Sequence, residues 1–150
     1  MAKRGIAVDA HLERAARHRK VGDALAEARD EWAAVCYFYS AYHLVRYALR
    51  SDPIFDDEPA LRAIHKDLHV DLRNLERHQG RNRVGREREW GMVEIVGFLY
   101  RPIAGTYMKL HLASVNVRYD EGLVTAPIER LRELIDEMWK AHEAGQLRRG

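Results

Sequence analysis

Hydrophobic positions recur at helical spacing along most of this chain, and nowhere do they alternate persistently as in a strand. Leu12, Ala15, Ala16 and Val21 share one side of a first helix. It is expected to run from Asp9, its N-cap, to about Ala28, with Gly22 as a weak point inside it. Asp30 is placed to cap a second helix reaching about Arg50. That segment, Trp32 to Arg50, is apolar nearly all round. Ala34, Phe38, Ala41, Val45 and Leu49 fall on one side, and Trp32, Val35 and Tyr42 on another. A helix apolar on every side belongs at the centre of a fold.

The acidic, two-proline stretch from Ser51 to Pro59 cannot continue a helix. Leu61, Ile64, Leu68, Leu72 and Leu75 then predict a third helix from Ala60 to about His78, with proline tolerated at its start. Gly80 to Gly91 breaks the pattern and reads as an exposed basic loop. Met92 to about Val117 is apolar and helical, with Pro102 a kink or a boundary between two pieces. Arg118 to Gly122 reads as a turn. Thr125 caps a last helix with Pro127 in its first turn. Its apolar face is Ile128, Leu131, Leu134, Ile135 and Met138, Asp136 and Lys140 form a supporting pair, and Gly145 ends it. The expected class is all-α: a single domain over 1–150, about five helices around the second, with residues 1–8 and 146–150 as loose tails.

Composition narrows the functional classes only modestly. At 150 residues the chain fits one domain with a real core. It is 47% hydrophobic and 32% charged, with a formal net charge of only +2, so bulk charge does not argue for nucleic acid. Of the 25 basic residues, however, 20 are arginine, the residue suited to bidentate contacts with phosphate and carboxylate. A single cysteine, Cys36, excludes an internal disulfide framework and fits a reducing compartment. No apolar run is long enough to span a membrane, and the first residues carry no apolar core of a signal peptide. The expected location is cytoplasmic, with no membrane partner.

Five groups of residues carry candidate chemistry. On the second helix Ser40, His43, Tyr47 or Arg46, and Arg50 recur every three or four positions and so share a face. His43 there is either an acid/base group beside anion-binding arginines or a core histidine bonded to a neighbouring helix. Spacing alone favours the core. His65 and His69, four apart, present a zinc-like pair if helical. Lys66 stands where a zincin needs its glutamate, and no third ligand is signalled, so no metal is expected. Arg73 lies four residues past His69 and extends a ladder of donors better suited to phosphate.

Arg73 and His78, on neighbouring turns, could divide the work of RNA cleavage: the imidazole moves a proton and the guanidinium stabilises the phosphorane. The alternative is an ordinary charged helix end. Arg118-Tyr119-Asp120 is either a phosphate contact with a stacking ring or a turn neutralised by its own aspartate. Arg81, Arg83, Arg86 and Arg88, ending in Trp90, either track a nucleic-acid backbone or form a solvated loop partly neutralised by Glu87 and Glu89.

Several elements together resemble small bacterial HEPN-domain proteins. Phe38-Tyr39-Ser40-Ala41-Tyr42-His43-Leu44-Val45 is similar to the second-helix signature of that family. Arg17-His18 and Glu31 to Val35 resemble its upstream segment. His69 with Arg73-Asn74 resembles its His…Arg-Asn element. Tyr107, Leu110, Ser114, Arg118, Tyr119 and Asp120 resemble its closing element. The likeness spans roughly residues 14 to 120. It implies an up-and-down helical bundle and a homodimer. It also implies, in many members, a metal-independent endoribonuclease of a toxin or defence system, working without a cofactor. The family's Arg-polar-x(3–5)-His motif faces the dimer seam and is matched by Arg73-Asn74-x3-His78. A near-form at Arg81–Arg86 has arginine where the histidine stands.

On this reading His43, His69, Arg73 and Arg118 converge as the catalytic set, with His78 the alternative acid/base group. Arg46, Tyr119, Arg81 and Arg83 hold RNA or another anion. Other members are non-enzymatic modules that bind a nucleotide or a partner protein. The partners implied here are RNA, a second copy, and an antitoxin or nucleotidyltransferase-type protein.

Overall fold

The structure, a computed structural model, describes residues 8–78, 90–119, 127–145 and 147. Helix α1 spans Val8–Glu27 and α2 spans Ala33–Ser51. A 3-10 turn at Pro53–Asp56 leads into α3, Glu58–Ile64, and a second lies at Val70–Asn74. Then come α4, Met92–Leu99; α5, Arg101–Tyr119; and α6, Ile128–Glu143. The described residues are all helical or irregular, with no strand.

The connection between α1 and α2 is tight. Arg29 turns left-handed at φ 57°, and the Asp30 carboxylate accepts the Trp32 N–H at 2.9 Å within the connection; the N-cap of α2 is Trp32, with no side-chain capping bond, rather than the expected Asp30. Asp9, by contrast, lies within α1 rather than capping it. Trp32 is half-exposed and precedes α2 instead of packing as part of it. From Ala33 onward α2 is the centre of the fold. Ala33, Ala34, Tyr37, Phe38, Ala41, Leu44, Val45 and Leu49 are buried, and α1, α5 and α6 pack around it. Each such leucine or phenylalanine withdraws about 1.5–3 kcal/mol of apolar surface from water. One hydroxyl ties three of these helices: Ser40 Oγ donates to the Ala15 carbonyl at 2.8 Å and accepts Trp139 Nε1–H at 3.0 Å.

Asp52 closes α2. Its Oδ1 accepts the Ile54 N–H at 2.9 Å and its Oδ2 accepts the Tyr100 hydroxyl at 3.0 Å. Asp57 then caps α3 by accepting the Ala60 N–H at 3.1 Å, with Pro59 in the first turn.

Two expectations are corrected here. The third helix ends at Ile64, not His78. His65 turns extended (φ −157°, ψ 138°), where its ring packs edge-on to Trp90 and Phe98 and its Nδ1 accepts the Asp67 N–H at 3.1 Å. Trp90 Nε1–H in turn donates to the Asp67 carbonyl at 3.1 Å. Leu68 and Leu72 still bury, but from a bend and a 3-10 turn. Among the described residues the helices number six, not five, because the Met92–Val117 stretch divides at Tyr100, with Pro102 in the first turn of α5. The last helix begins at Ile128 with Pro127 just before it, and Thr125 lies outside the described residues. Gly145 ends it in the left-handed region at φ 71°, and Lys140 pairs with Asp136 at 3.0 Å. No helix of the described residues is long and apolar enough to cross a membrane.

Candidate functional site

Two groups of histidine, tyrosine and arginine line the polar side of α2. The inner group lies between α1 and α2. His43 meets His11 nitrogen to nitrogen, Nδ1 to Nδ1 at 3.0 Å, and the His18 ring lies parallel to His43 with centroids 5.5 Å apart. One Nδ1 must donate and the other accept, so two neutral rings here carry opposite tautomers. Burial pushes His43 down to about 3, with His11, His18, Arg14 and Arg46 adding repulsion. Burial likewise takes His11 down to about 4, reinforced by Arg46, Arg50 and Arg14. This is a neutral, buried pair.

The outer group is built by α2, the segment ending at His78, and the last turn of α5. The Tyr39 hydroxyl sits 3.4 Å from His78 Nε2 and accepts from Arg118 Nη1 at 3.4 Å. All three side chains are half-buried. The Arg118 guanidinium also lies over the Tyr119 ring, 4.9 Å from its centroid, and that ring is 72% exposed. Phe38 forms the floor, with its ring 5.2 Å from His78 and 5.1 Å from His111. Burial, then Arg118, lowers the pKa of His78. Burial, then His78 and Arg118, takes His111 down to about 4. His78 Nδ1, Ser114 Oγ and the Tyr107 hydroxyl are buried without hydrogen-bond partners.

Backbone bonds fix His78 in place. The Met92 N–H donates to the Arg77 carbonyl at 2.7 Å, and the Val93 N–H to the His78 carbonyl at 3.0 Å. Beside them Tyr42 donates its hydroxyl to the Glu76 carbonyl at 2.8 Å and accepts from Arg46 Nη1 at 3.1 Å. Arg46 is 4% exposed and reaches the Glu76 carboxylate at 3.7 Å. The two groups adjoin, since the His18 ring is 5.9 Å from Tyr39 and the Tyr42 ring 5.2 Å from His43.

The sequence candidates are therefore distributed. His78, Arg118 and Tyr119 gather around Tyr39. His43 belongs to the inner pair, and Arg46 flanks both groups. Arg73 is used by the scaffold: Nη2 donates to the Asp52 carbonyl at 2.8 Å, and Nη1 to Asp56 at 3.0 Å. His69 precedes a 3-10 turn with extended backbone, and His65 is extended as well, so the ladder through His65, His69 and Arg73 on one helix face does not form. No group of three or more His, Cys, Asp or Glu among the described residues is placed to hold a metal. Arg81, Arg83, Arg86 and Arg88 lie outside the described residues, as does Asp120. Trp90 is buried rather than presented to a ligand. Arg118 and Tyr119 form the last turn of α5, not a separate turn.

Tyr39, His11 and His111 are the members that sequence reasoning missed. Tyr39, Tyr42 and Arg46 do recur at helical spacing, but Tyr42 was counted as apolar and Tyr39 was noted only within the Phe38–Val45 stretch. His11 has no local signal at all. The chain matches no family model, no curated protein and no solved structure.

Proposed function

We propose that this chain is a HEPN-type RNA-binding protein that cleaves single-stranded RNA without a metal, as a component of a toxin or defence system. The observation that carries this reading is the meeting of a neutral imidazole and a guanidinium at one phenol: His78, Arg118 and Tyr39. His78 takes the proton of the 2′-hydroxyl, which attacks the adjacent phosphorus. The bond to the 5′-oxygen breaks, that oxygen takes up a proton, and a 2′,3′-cyclic phosphate remains. Arg118 meets the charge that grows on the phosphorane oxygens. Tyr119 offers its exposed ring to a base. The family likeness adds a homodimer and an antitoxin or nucleotidyltransferase-type partner.

The test is incubation of the purified protein with labelled single-stranded RNA in chelator. His78→Ala is expected to abolish cleavage while binding persists, and Arg118→Ala to weaken both. Cleavage unchanged in both variants overturns the assignment.

A second reading rests on the fate of Arg73 and His43. Both carry the family likeness, yet one is bonded to the scaffold and the other buried against His11. A non-enzymatic module that binds a nucleotide or partner protein accounts for both. RNA binding with no cleavage product selects it.

A further inference from the structure

Two ladders of basic side chains meet across the seam of α1 and α2. His11, Arg14 and His18 recur at intervals of three and four on α1, and His43, Arg46 and Arg50 do the same on α2, so each set shares one helix face. His11 and His43 join the ladders, and at the rim Arg14 is exposed and Arg50 half-buried. Burial is the first cause of the lowered pKa of all three histidines, and every fixed charge that adds to it is an arginine. These are Arg14, Arg46 and Arg50 at His11, Arg14 and Arg17 at His18, and Arg14 and Arg46 at His43. Glu13 and Lys20 lie on the opposite side of α1, at about 100° per residue.

Arg46 shows that the seam is short of negative charge. It is buried, its Nε has no partner, and the one acid paired with it among the described residues is Glu76, 3.7 Å from Nη2 on a side chain 74% exposed. A buried guanidinium stays charged and needs a close anion to offset its lost hydration.

The seam also leads somewhere. At one end the His18 ring lies 5.9 Å from Tyr39, whose hydroxyl accepts from Arg118. Beyond Tyr39, toward the connection of α1 and α2, the chain turns acidic at Asp30 and Glu31. Positive charge therefore runs from Arg118 in one direction, past His18 and Arg14 to Arg50. The rings of Tyr119, Tyr39 and His18 alternate with guanidinium groups at its start. Rings for bases interleaved with cations for the backbone are how a single strand is held, and an acidic peptide has no use for the rings.

We propose that the α1–α2 seam carries the RNA strand on one side of the cleaved bond, with Arg14 and Arg50 holding backbone phosphates beyond the one at Arg118. A phosphate there brings Arg46 the negative charge that Glu76 supplies only weakly. The inference rests on the RNA reading above and adds where the strand lies.

The test measures binding of the full chain to a labelled, 2′-O-methylated single-stranded RNA of about twelve nucleotides, which has no 2′-hydroxyl to react. Arg14→Gln with Arg50→Gln, folded by circular dichroism, is expected to raise the dissociation constant about tenfold or more. The slope of log affinity against log salt should fall by about 1.4, the loss of two phosphate contacts to a single strand. Lys20→Gln with Lys109→Gln removes the same charge from the far sides of α1 and α5, and should change affinity less than about twofold. Arg14→Gln alone, at an exposed position, should weaken binding about threefold and decides the matter if the Arg50 variant fails to fold. Wild-type affinity in the arginine variants, or an equal loss in the lysine pair, overturns the path while leaving RNA binding standing. Polyglutamate bound as tightly as the RNA overturns the nucleic-acid occupant. A wild-type chain that does not bind RNA overturns both this path and the function it rests on.

Discussion

His11 and His43 approach Nδ1 to Nδ1 at 3.0 Å, across the interface of α1 and α2. One ring donates and the other accepts, and burial keeps both neutral near pH 7, His11 at about 4 and His43 at about 3. In the unfolded chain histidine titrates near 6.5. The unfolded state therefore binds more protons as pH falls below that value. Stability is complete above about pH 6.5 and is lost on acidification toward pH 4 for His11 and pH 3 for His43, each at up to about 1.4 kcal/mol per pH unit. Urea midpoints measured at pH 7 and pH 5 should show the fall. His43→Gln, which cannot titrate, should reduce the slope by about 1.4 kcal/mol per unit. A midpoint unchanged between these pH values contradicts the arrangement.

Tyr39→Phe removes the hydroxyl that joins His78 to Arg118 and keeps the ring. We expect RNA cleavage to fall about tenfold or more, in line with about 1.4 kcal/mol for a hydrogen bond to a charged or reacting group. Thermal stability should stay within about 1 kcal/mol of wild type. Cleavage unchanged in Tyr39→Phe would detach the phenol from the chemistry.

Arg73→Ala tests the opposite kind of arginine. Its bonds to the Asp52 carbonyl and Asp56 secure the end of α2 against the second 3-10 turn. Asp56 is exposed, so the pair with it adds little. The expected loss is about 1–2 kcal/mol of stability by chemical denaturation, with RNA affinity within about twofold. A selective loss of RNA affinity would return Arg73 to the site.

Gly22→Ala should destabilise, although the change normally favours a helix by about 1 kcal/mol. A Cβ at Gly22 would stand 2.7 Å from Tyr37 Cδ1 and Cε1. The Tyr37 ring is fully buried and anchored by its hydroxyl, which donates to Asp23 at 2.6 Å. The ring cannot retreat, and a loss of about 1–3 kcal/mol in a denaturant titration is expected.

Gly22 also shows how sequence reading reached its limit. Read locally, it was a weak point in α1. In the fold it is the groove that admits a ring from α2. The helices themselves were legible wherever apolar spacing and end signals agreed, as at Gly145 and the face of α6. Leu61 to Leu75 misled because leucines spaced for a helix also bury from a bend followed by a 3-10 turn. What decided between them was Trp90, more than twenty residues away, packing on His65 and bonding to Asp67. The site was legible one residue at a time. His78, Arg118 and Tyr119 each had a chemical reason to be singled out, but their meeting point, Tyr39, carried no signal beyond its place in the Phe38–Val45 stretch. The His11–His43 pair depends on the angle at which α1 crosses α2, which no local spacing encodes.

The Ser40 hydroxyl has a further consequence, for folding cooperativity. A single oxygen accepts from α6 and donates to α1 while belonging to α2, so hydrogen bonds along the chain Trp139–Ser40–Ala15 polarise one another. If α6 leaves, the buried Ser40 loses its donor. If α1 leaves, its hydrogen has nowhere to go. The first and last helices, more than a hundred residues apart, are thus bound into one all-or-none unit, and a truncation that removes α6 should leave no stable α1–α2 remnant.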